Sequence, residues 1–428
     1  MQLSKIIVIT TVLFTALSCH TRDFNKPLNV DAISLEYSEL PLLPIDSVVT
    51  NVRFVRLETN TDCLIESYDE IQIVDDRIFI RSSKRSQQSL FVFDMEGNHL
   101  LTINAQGRGP GEYLALRGFT VSPESKEICL LDLAQVLIYD YCGSHLRSHS
   151  FDKLGLFPCD ISPSLISFNG YYYMIVETFE TKGIDPVKGW GTELMEDDMF
   201  NLVAVFDKDW RLISRTYPIP RERSGQHYRF QLTIGKQNSV FISDAGNLWY
   251  HSVFSDYLYE VIDHKFIPQF RLEYGRHKIP EESRREASKI HESQAMNYIH
   301  TFFNGNYGFP GTRYSVRDSQ ILLQPTIGRA EPLILFDRRT NKSLVLAMTQ
   351  SDEIGNMANL YPTSGIQSYY GGFFGHLPSE RHVWVRDMGR EYCRESLLSP
   401  LNFPEYDQLT KEDNGVILFF ELKKGINY

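Results

Sequence analysis

The feature that most constrains this chain is a hairpin that keeps returning. Residues 90–94 (LFVFD) form an apolar run ending in Asp94, followed by a short turn with Gly97 and a returning strand from His99. The same order recurs at 136–140 (VLIYD), with Gly143 and a return from His145. It recurs again at 202–207 (LVAVFD), 258–263 (LYEVID) and 333–337 (LILFD). A last run, 416–420 (VILFF), has no returning strand after it. An aspartate at the end of such a run is turn chemistry: its carboxylate accepts backbone N–H groups two residues on and closes the hairpin. Asp94, Asp140, Asp207, Asp263 and Asp337 are therefore expected to be structural.

Two further strands precede each hairpin. The pairs are 68–74 with 77–81, 118–121 with 128–132, 161–168 with 171–176, 239–243 with 248–252, 314–317 with 321–324, and 367–374 with 382–385. Phe and Tyr, 27 and 23 of them, enrich these runs as a strand-rich fold requires. Four strands per unit at a period of about 40–50 residues is the signature of β-propeller blades, and the longer spacings mark loop insertions. The count predicts an all-β, six-bladed propeller of four-stranded antiparallel blades, with the sixth lacking its outermost strand. Residues 52–57 (VRFVRL) alternate apolar and polar and have no local partner, so this N-terminal strand is expected to complete the last blade and close the ring.

Residues 106–113 (QGRGPGEY) fall between the outer strand of one predicted blade and the inner strand of the next. Gly107, Gly109 and Gly111 are free to take φ > 0 and Pro110 fixes its own φ, so the segment makes a pre-shaped loop. Closely spaced glycines also suit a phosphate, but no Lys-Ser/Thr pair follows and the order is neither GxGxxG nor a Walker loop. The other reading is an inter-blade connection in which Arg108 and Glu112 bond to backbone or to each other, and Tyr113 pins its end.

So placed, the loop resembles the Gly-rich connections of NHL-type propellers. Together with residues 52–59 (VRFVRLET), the FVFD, LIYD, AVFD and ILFD hairpins, the terminal VILFFELKK and Cys19, it makes the chain resemble the six-bladed β-propeller lipoproteins of Gram-negative bacteria. The resemblance covers nearly all of the chain and implies a fold, not a reaction. Only one full copy of the Gly-rich loop is present, a departure from the regular NHL pattern.

The N-terminus carries Lys5, an apolar run over 6–17, then Ser18 and Cys19. This reads as a signal peptide over 1–18, with Cys19 as the lipidated first residue of the mature protein. His20 rather than Asp after the cysteine implies, by resemblance to sorting signals, the outer membrane. Residues 19–43 are expected to be tether and lead-in, and 44–428 one propeller domain. Membrane attachment would be through the lipid alone. Cys63, Cys129, Cys142, Cys159 and Cys393 are odd in number and contain no CxxC spacing, so no zinc site is expected and no disulfide is named. The net charge of -11 argues against a broad nucleic-acid surface.

In a four-stranded blade a-b-c-d, the b–c and d–a connections share one face. The long insertions over 178–201, 273–313 and 386–414 sort to these connections, as does QGRGPGEY. Residues 280–293 read as a short helix. The candidate ligand-binding residues on this reading are Arg108, Glu112, Tyr113, Trp190, Tyr369 and Tyr370, the aromatics suiting a sugar or peptide. No HExxH, GxSxG or EF-hand pattern occurs, and no catalytic residue, metal or cofactor is expected. The expected function is a non-catalytic binding or scaffold module at the cell envelope, with a glycan, a peptide or an envelope-protein partner. The alternative is a hydrolase or lyase acting at the mouth of the central channel.

Overall fold

The recurring hairpins do form blades. The computed structural model describes residues 29–156, 161–176, 199–220, 240–243, 246–251, 255–278, 308–309, 314–317, 319–327, 332–347, 367–369, 372–380, 383 and 405–423. The expected helix at 280–293 lies outside them. The chain opens with β1 (Asp31–Ser34), β2 (Leu42–Pro44), a single turn α1 (Ile45–Val48) and β3 (Val49–Arg56). Blade 1 is β4 (Glu70–Val74), β5 (Arg77–Lys84), β6 (Gln87–Asp94) and β7 (His99–Ile103); blade 2 is β8 (Gly118–Ser122), β9 (Glu127–Leu131), β10 (Gln135–Asp140) and β11 (His145–Ser150). Blade 3 is β12 (Ile161–Phe168), β13 (Tyr171–Val176), β14 (Met199–Phe206) and β15 (Leu212–Pro220); blade 4 is β16 (Val240–Ile242), β17 (Leu248–His251), β18 (Tyr257–Ile262) and β19 (Lys265–Glu273). After β20 (Gly308–Phe309), blade 5 is β21 (Tyr314–Arg317), β22 (Gln320–Leu323), β24 (Leu333–Asp337) and β25 (Lys342–Ala347), with β23 (Thr326–Ile327) set between β22 and β24. Blade 6 is β26 (Gln367–Tyr369), β27 (Gly372–Leu377) and β28 (Val416–Leu422), completed by β3. The six four-stranded antiparallel sheets stand in a ring, each with its first strand innermost, and the ring is closed as expected by an N-terminal strand, β3 running antiparallel to β28.

The turn aspartates behave as their chemistry dictates in four of the five hairpins. Asp94 accepts the N–H groups of Glu96 and Asn98 at 3.0 and 2.8 Å, and Asp140 those of Cys142 and Ser144 at 2.9 and 2.8 Å. Asp207 accepts from Asp209 and Arg211, and the fully buried Asp337 from Arg339. Asp263 differs. Ile262 pairs directly with Lys265, which leaves a two-residue turn with Asp263 and His264 at φ 48° and 62°. That geometry follows strand twist and leaves no room for the longer side-chain-closed turn.

Blade 6 also differs from expectation. Residues 367–374 are not one strand. Tyr369 pairs with Gly372, at φ 152°, so the run splits into the first hairpin of the blade. Its second strand is β27, and Val383, expected within a strand, is helical.

The lead-in does more than reach the closing strand. β1 adds in parallel to the outer edge of β19, and β2 in parallel to the outer edge of β25, so blades 4 and 5 are five-stranded. The core lies between blades, and five of the six joints carry an apolar plug from a connection or from the lead-in. Leu57, Cys63 and Ile65 fill the joint between blades 6 and 1; Tyr113 and Leu116 fill that between 1 and 2. Phe151, Leu154 and Leu156 serve blades 2 and 3. In blades 4 to 6 the plug comes from the far end of the chain: Ile33 and Leu35 enter the 4/5 joint, and Ile45 and Val48 the 5/6 joint. Ile33 and Leu35 are fully buried, each worth about 1.5–3 kcal/mol of burial.

Candidate binding face

The expectation that b–c turns and d–a connections share a face can be read at three places. In the d–a connection after blade 1, the N–H groups of Leu114 and Ala115 donate to Asp132 Oδ1, in the b–c turn of blade 2, at 3.0 and 2.9 Å. In the connection from blade 6 to blade 1, Gln87, at the b–c turn of blade 1, accepts from Glu66 N–H at 2.9 Å and donates to Leu64 O at 2.8 Å. In blade 5, β20 of the preceding d–a insertion pairs with β23 of the b–c connection.

The Gly-rich loop sits on this face as a closed ring of hydrogen bonds. Gly107 N–H donates to Tyr113 O at 3.0 Å, and Tyr113 N–H returns to Ala105 O at 2.9 Å. Glu112 reaches back across the loop, its carboxylate accepting Gly109 N–H at 2.6 Å while its own N–H donates to Gly109 O at 3.1 Å. The glycines follow from that packing. A Cβ on Gly107 would fall 2.0 Å from Glu112 Oε2, and one on Gly111, at φ +79°, 2.7 Å from the His145 ring. Gly111 O also accepts the Tyr139 hydroxyl.

The candidate residues separate here. Tyr113 is fully buried, its ring in the blade 1/2 core and its hydroxyl donating to Gln88 O and accepting Ala105 N–H at 3.3 Å. Burial pushes that hydroxyl's pKa up to about 12, despite its bond to Ala105. Glu112 is half-buried and bound to backbone, not to Arg108. Arg108 is exposed and makes no hydrogen bond or ion pair with a described residue. Leu114, further along the same connection, and Leu133, in the b–c turn of blade 2, are 48% and 41% exposed. Tyr369 is elsewhere: it ends an innermost strand at an a–b turn, the end of the blade opposite the d–a connections, and packs edge-on against Phe419 with ring centres 5.1 Å apart. Trp190, Tyr370 and Cys19 lie outside the described residues.

Sequence reasoning missed the polar parts that hold this face together. Asn414, 1% exposed, donates to Glu58 O at 2.6 Å and Cys63 O at 2.8 Å and accepts Ile65 N–H at 2.8 Å. Its own N–H donates to Thr59 Oγ1 at 2.9 Å. Beside it, Arg56 Nη2 lies 3.1 Å from Asp413 Oδ1. Burial of Asp413 opposes its ionisation, but hydrogen bonds from Thr410 and Arg56 outweigh that and hold its carboxyl below the ordinary value. Arg81, 1% exposed, pairs with Glu70 at 3.1 Å and donates to Leu116 O at 3.2 Å, tying blade 1 to the end of the Gly-rich connection. No single-sequence pattern marks these residues, because their partners lie on other strands and connections.

The inner wall is packed at blade 2. β8 is buried along its whole length, and side chains sew it to its neighbours. Gln72 Nε2 of β4 donates to Phe119 O at 3.0 Å, and Ser167 N–H of β12 donates to Thr120 Oγ1 at 2.8 Å. Among the described residues, no group of three His, Cys, Asp or Glu side chains is placed to hold a metal ion.

No curated protein matches the chain. In structure it is similar to a protein of Bacteroides fragilis described as exported, at 17% identity and a TM-score of 0.66, over 92% of this chain and 99% of that one. A member of the DUF4221 family from Bacteroides vulgatus follows, at 12% identity and a TM-score of 0.47, over 88% of this chain and 98% of that one. The first of these likenesses is one of fold. A family model described as Domain of unknown function (DUF4934) matches residues 28–421, nearly the whole propeller, and the chain therefore belongs to the DUF4934 family.

Proposed function

We propose that this protein is a non-catalytic binding or scaffold module of the bacterial cell envelope, which receives its partner on the face where b–c turns and d–a connections gather. One observation carries the reading. The Gly-rich loop is braced by Glu112 and Tyr113, and the one charged side chain it leaves exposed with no partner among the described residues is Arg108. A loop held that firmly presents a guanidinium at little entropic cost, and a guanidinium's forked donors suit a carboxylate or another anionic oxygen group. Exposed Leu114 in the same connection and Leu133 in the b–c turn that it meets supply apolar surface on this face. The partner classes that fit are an acidic glycan, a peptide or an envelope protein. In this reading residues 1–18 are removed, Cys19 carries the lipid, the protein sits at the outer membrane, and the GRGPGEY loop is an NHL-like inter-blade connection turned to recognition.

The test is a thermal-shift screen of glycans and peptides on the chain starting after Cys19. A ligand that stabilises the native protein and loses at least about tenfold in affinity with Arg108→Ala supports the site. Ligands indifferent to Arg108→Ala would move the site away from the loop. Unchanged membrane fractionation of Cys19→Ala would end the lipoprotein reading.

A further inference from the structure

We propose that residues 31–44 are a clasp that opens as one unit about α1, baring the outer edges of β19 and β25 while the ring stays closed. The clasp is fastened by short pairings at sheet margins. β1 matches four residues of β19, from Asp31 opposite Phe270 to Ser34 opposite Glu273, and β2 matches three of β25. Between them, the polar fastening is largely in water. Arg276, 65% exposed, lies 3.3 Å from Glu36 and donates to Ser38 Oγ at 2.7 Å. Exposed ion pairs of this kind contribute little. What resists opening is the seating of Ile33 and Leu35 in the 4/5 joint, and of Glu36 against Gly275, where a Cβ would fall 1.8 Å from Glu36 Oε2.

The hinge is equally specific. α1 is pinned at the end of the β3–β28 pairing, Lys423 N–H donating to Val48 O at 2.7 Å and Lys423 Nζ to Ser47 O at 2.9 Å. Opening therefore stops at Pro44, and the closing strand β3 stays paired with β28. Segments held mainly at their margins open well below the cost of global unfolding. Once open, the outer edges of β19 and β25 present unpaired backbone. The clasp thus links the chain's N-terminal end to the two blades that carry it.

Native-state amide exchange on the full chain tests this. Leu35 N–H donates to Glu273 O and Val345 N–H to Pro41 O, both at 2.8 Å, so each reports one end of the clasp. Lys423 N–H and Tyr113 N–H, bound to Val48 O and Ala105 O, report the hinge and a distant joint. The clasp requires Leu35 and Val345 to exchange at one protection level, at least about tenfold below the other two. Leu35→Ala should lower protection of both reporters together and leave Lys423 and Tyr113 unchanged. Equal protection at all four amides, independent opening at Leu35 and Val345, or a uniform loss in the variant would each overturn the proposal. If Leu35→Ala does not fold, Arg276→Ala is read in the same way with a smaller change.

Discussion

The joint between blades 6 and 1 and the joint between blades 1 and 2 close the same kind of gap with different chemistry. At the 1/2 joint the loop and both blades are neighbours in sequence. Its seal is backbone shape: glycines let the chain fold onto itself, Glu112 bridges it, and Tyr113 drops into the core. At the 6/1 joint the two sides come from opposite ends of the chain. There the seal is one buried amide: Asn414 bonds Glu58 O, Cys63 O and Ile65 N–H, residues some 350 positions away in sequence. A primary amide is a neutral side chain with two donor hydrogens and an acceptor oxygen at its tip, so it can satisfy three backbone groups of an arriving loop. Turns made locally can rely on conformational freedom; a joint made between distant segments needs directed bonds.

The strongest way to break this comparison is Asn414→Ala. It strands two carbonyls and an N–H in a buried joint, and should cost about 3–5 kcal/mol in urea unfolding at the closing joint. A loss under about 1 kcal/mol would mean that β3 and its apolar plug close the ring without the amide. Next comes Gly107→Ala, which forces Glu112 off Gly109 N–H and should cost about 1.5–3 kcal/mol. Because the two changes remove one interaction, Gly107→Ala combined with Glu112→Ala should cost little more than the glycine change alone; full additivity would show that the glycine acts by another route. Tyr113→Phe keeps the ring in the core and removes only the hydroxyl's bonds, for about 1–2 kcal/mol, measured as a shift of the unfolding midpoint.

The smallest effect concerns pH. Asp413's carboxyl titrates below its ordinary value in the folded protein, so the stability it contributes is complete above the unfolded-state pKa, near 3.8, and is lost as pH falls through the folded value. Asp413→Asn should therefore flatten the acid limb of the stability curve below about pH 4 and leave it parallel to that of the parent above about pH 5. An unchanged acid limb would place the acid sensitivity of the closing joint elsewhere.

Much of the fold was legible because blade chemistry is local. A period-two apolar run, an Asp-led turn and a returning strand lie within about 15 residues, so their repetition names the architecture. The unpaired alternation of 52–57 was enough to predict ring closure. The misreadings were local too. Residues 367–374 are expected as one strand but turn back between Tyr369 and Gly372, and the two-residue hairpin at Asp263 is too short for the side-chain-closed turn expected there. The candidate face was half legible: the sequence picked out the loop with Arg108, Glu112 and Tyr113, and sorted the connections to one face. It did not say that Tyr113 points inward, that Glu112 is spent on Gly109, or that Tyr369 belongs to the opposite end of its blade.

What the sequence by itself determined is the repeat, the number of blades and the strand that closes them, since each follows from hydrogen-bonding and burial patterns within a single unit. The tertiary structure decided where the lead-in runs, which amide bridges the closing joint, and which of the loop's two charges stays exposed. These depend on contacts between residues far apart in the chain, such as Ile33 with blades 4 and 5 or Asn414 with Glu58, and no local pattern encodes a distance that only the closed ring creates.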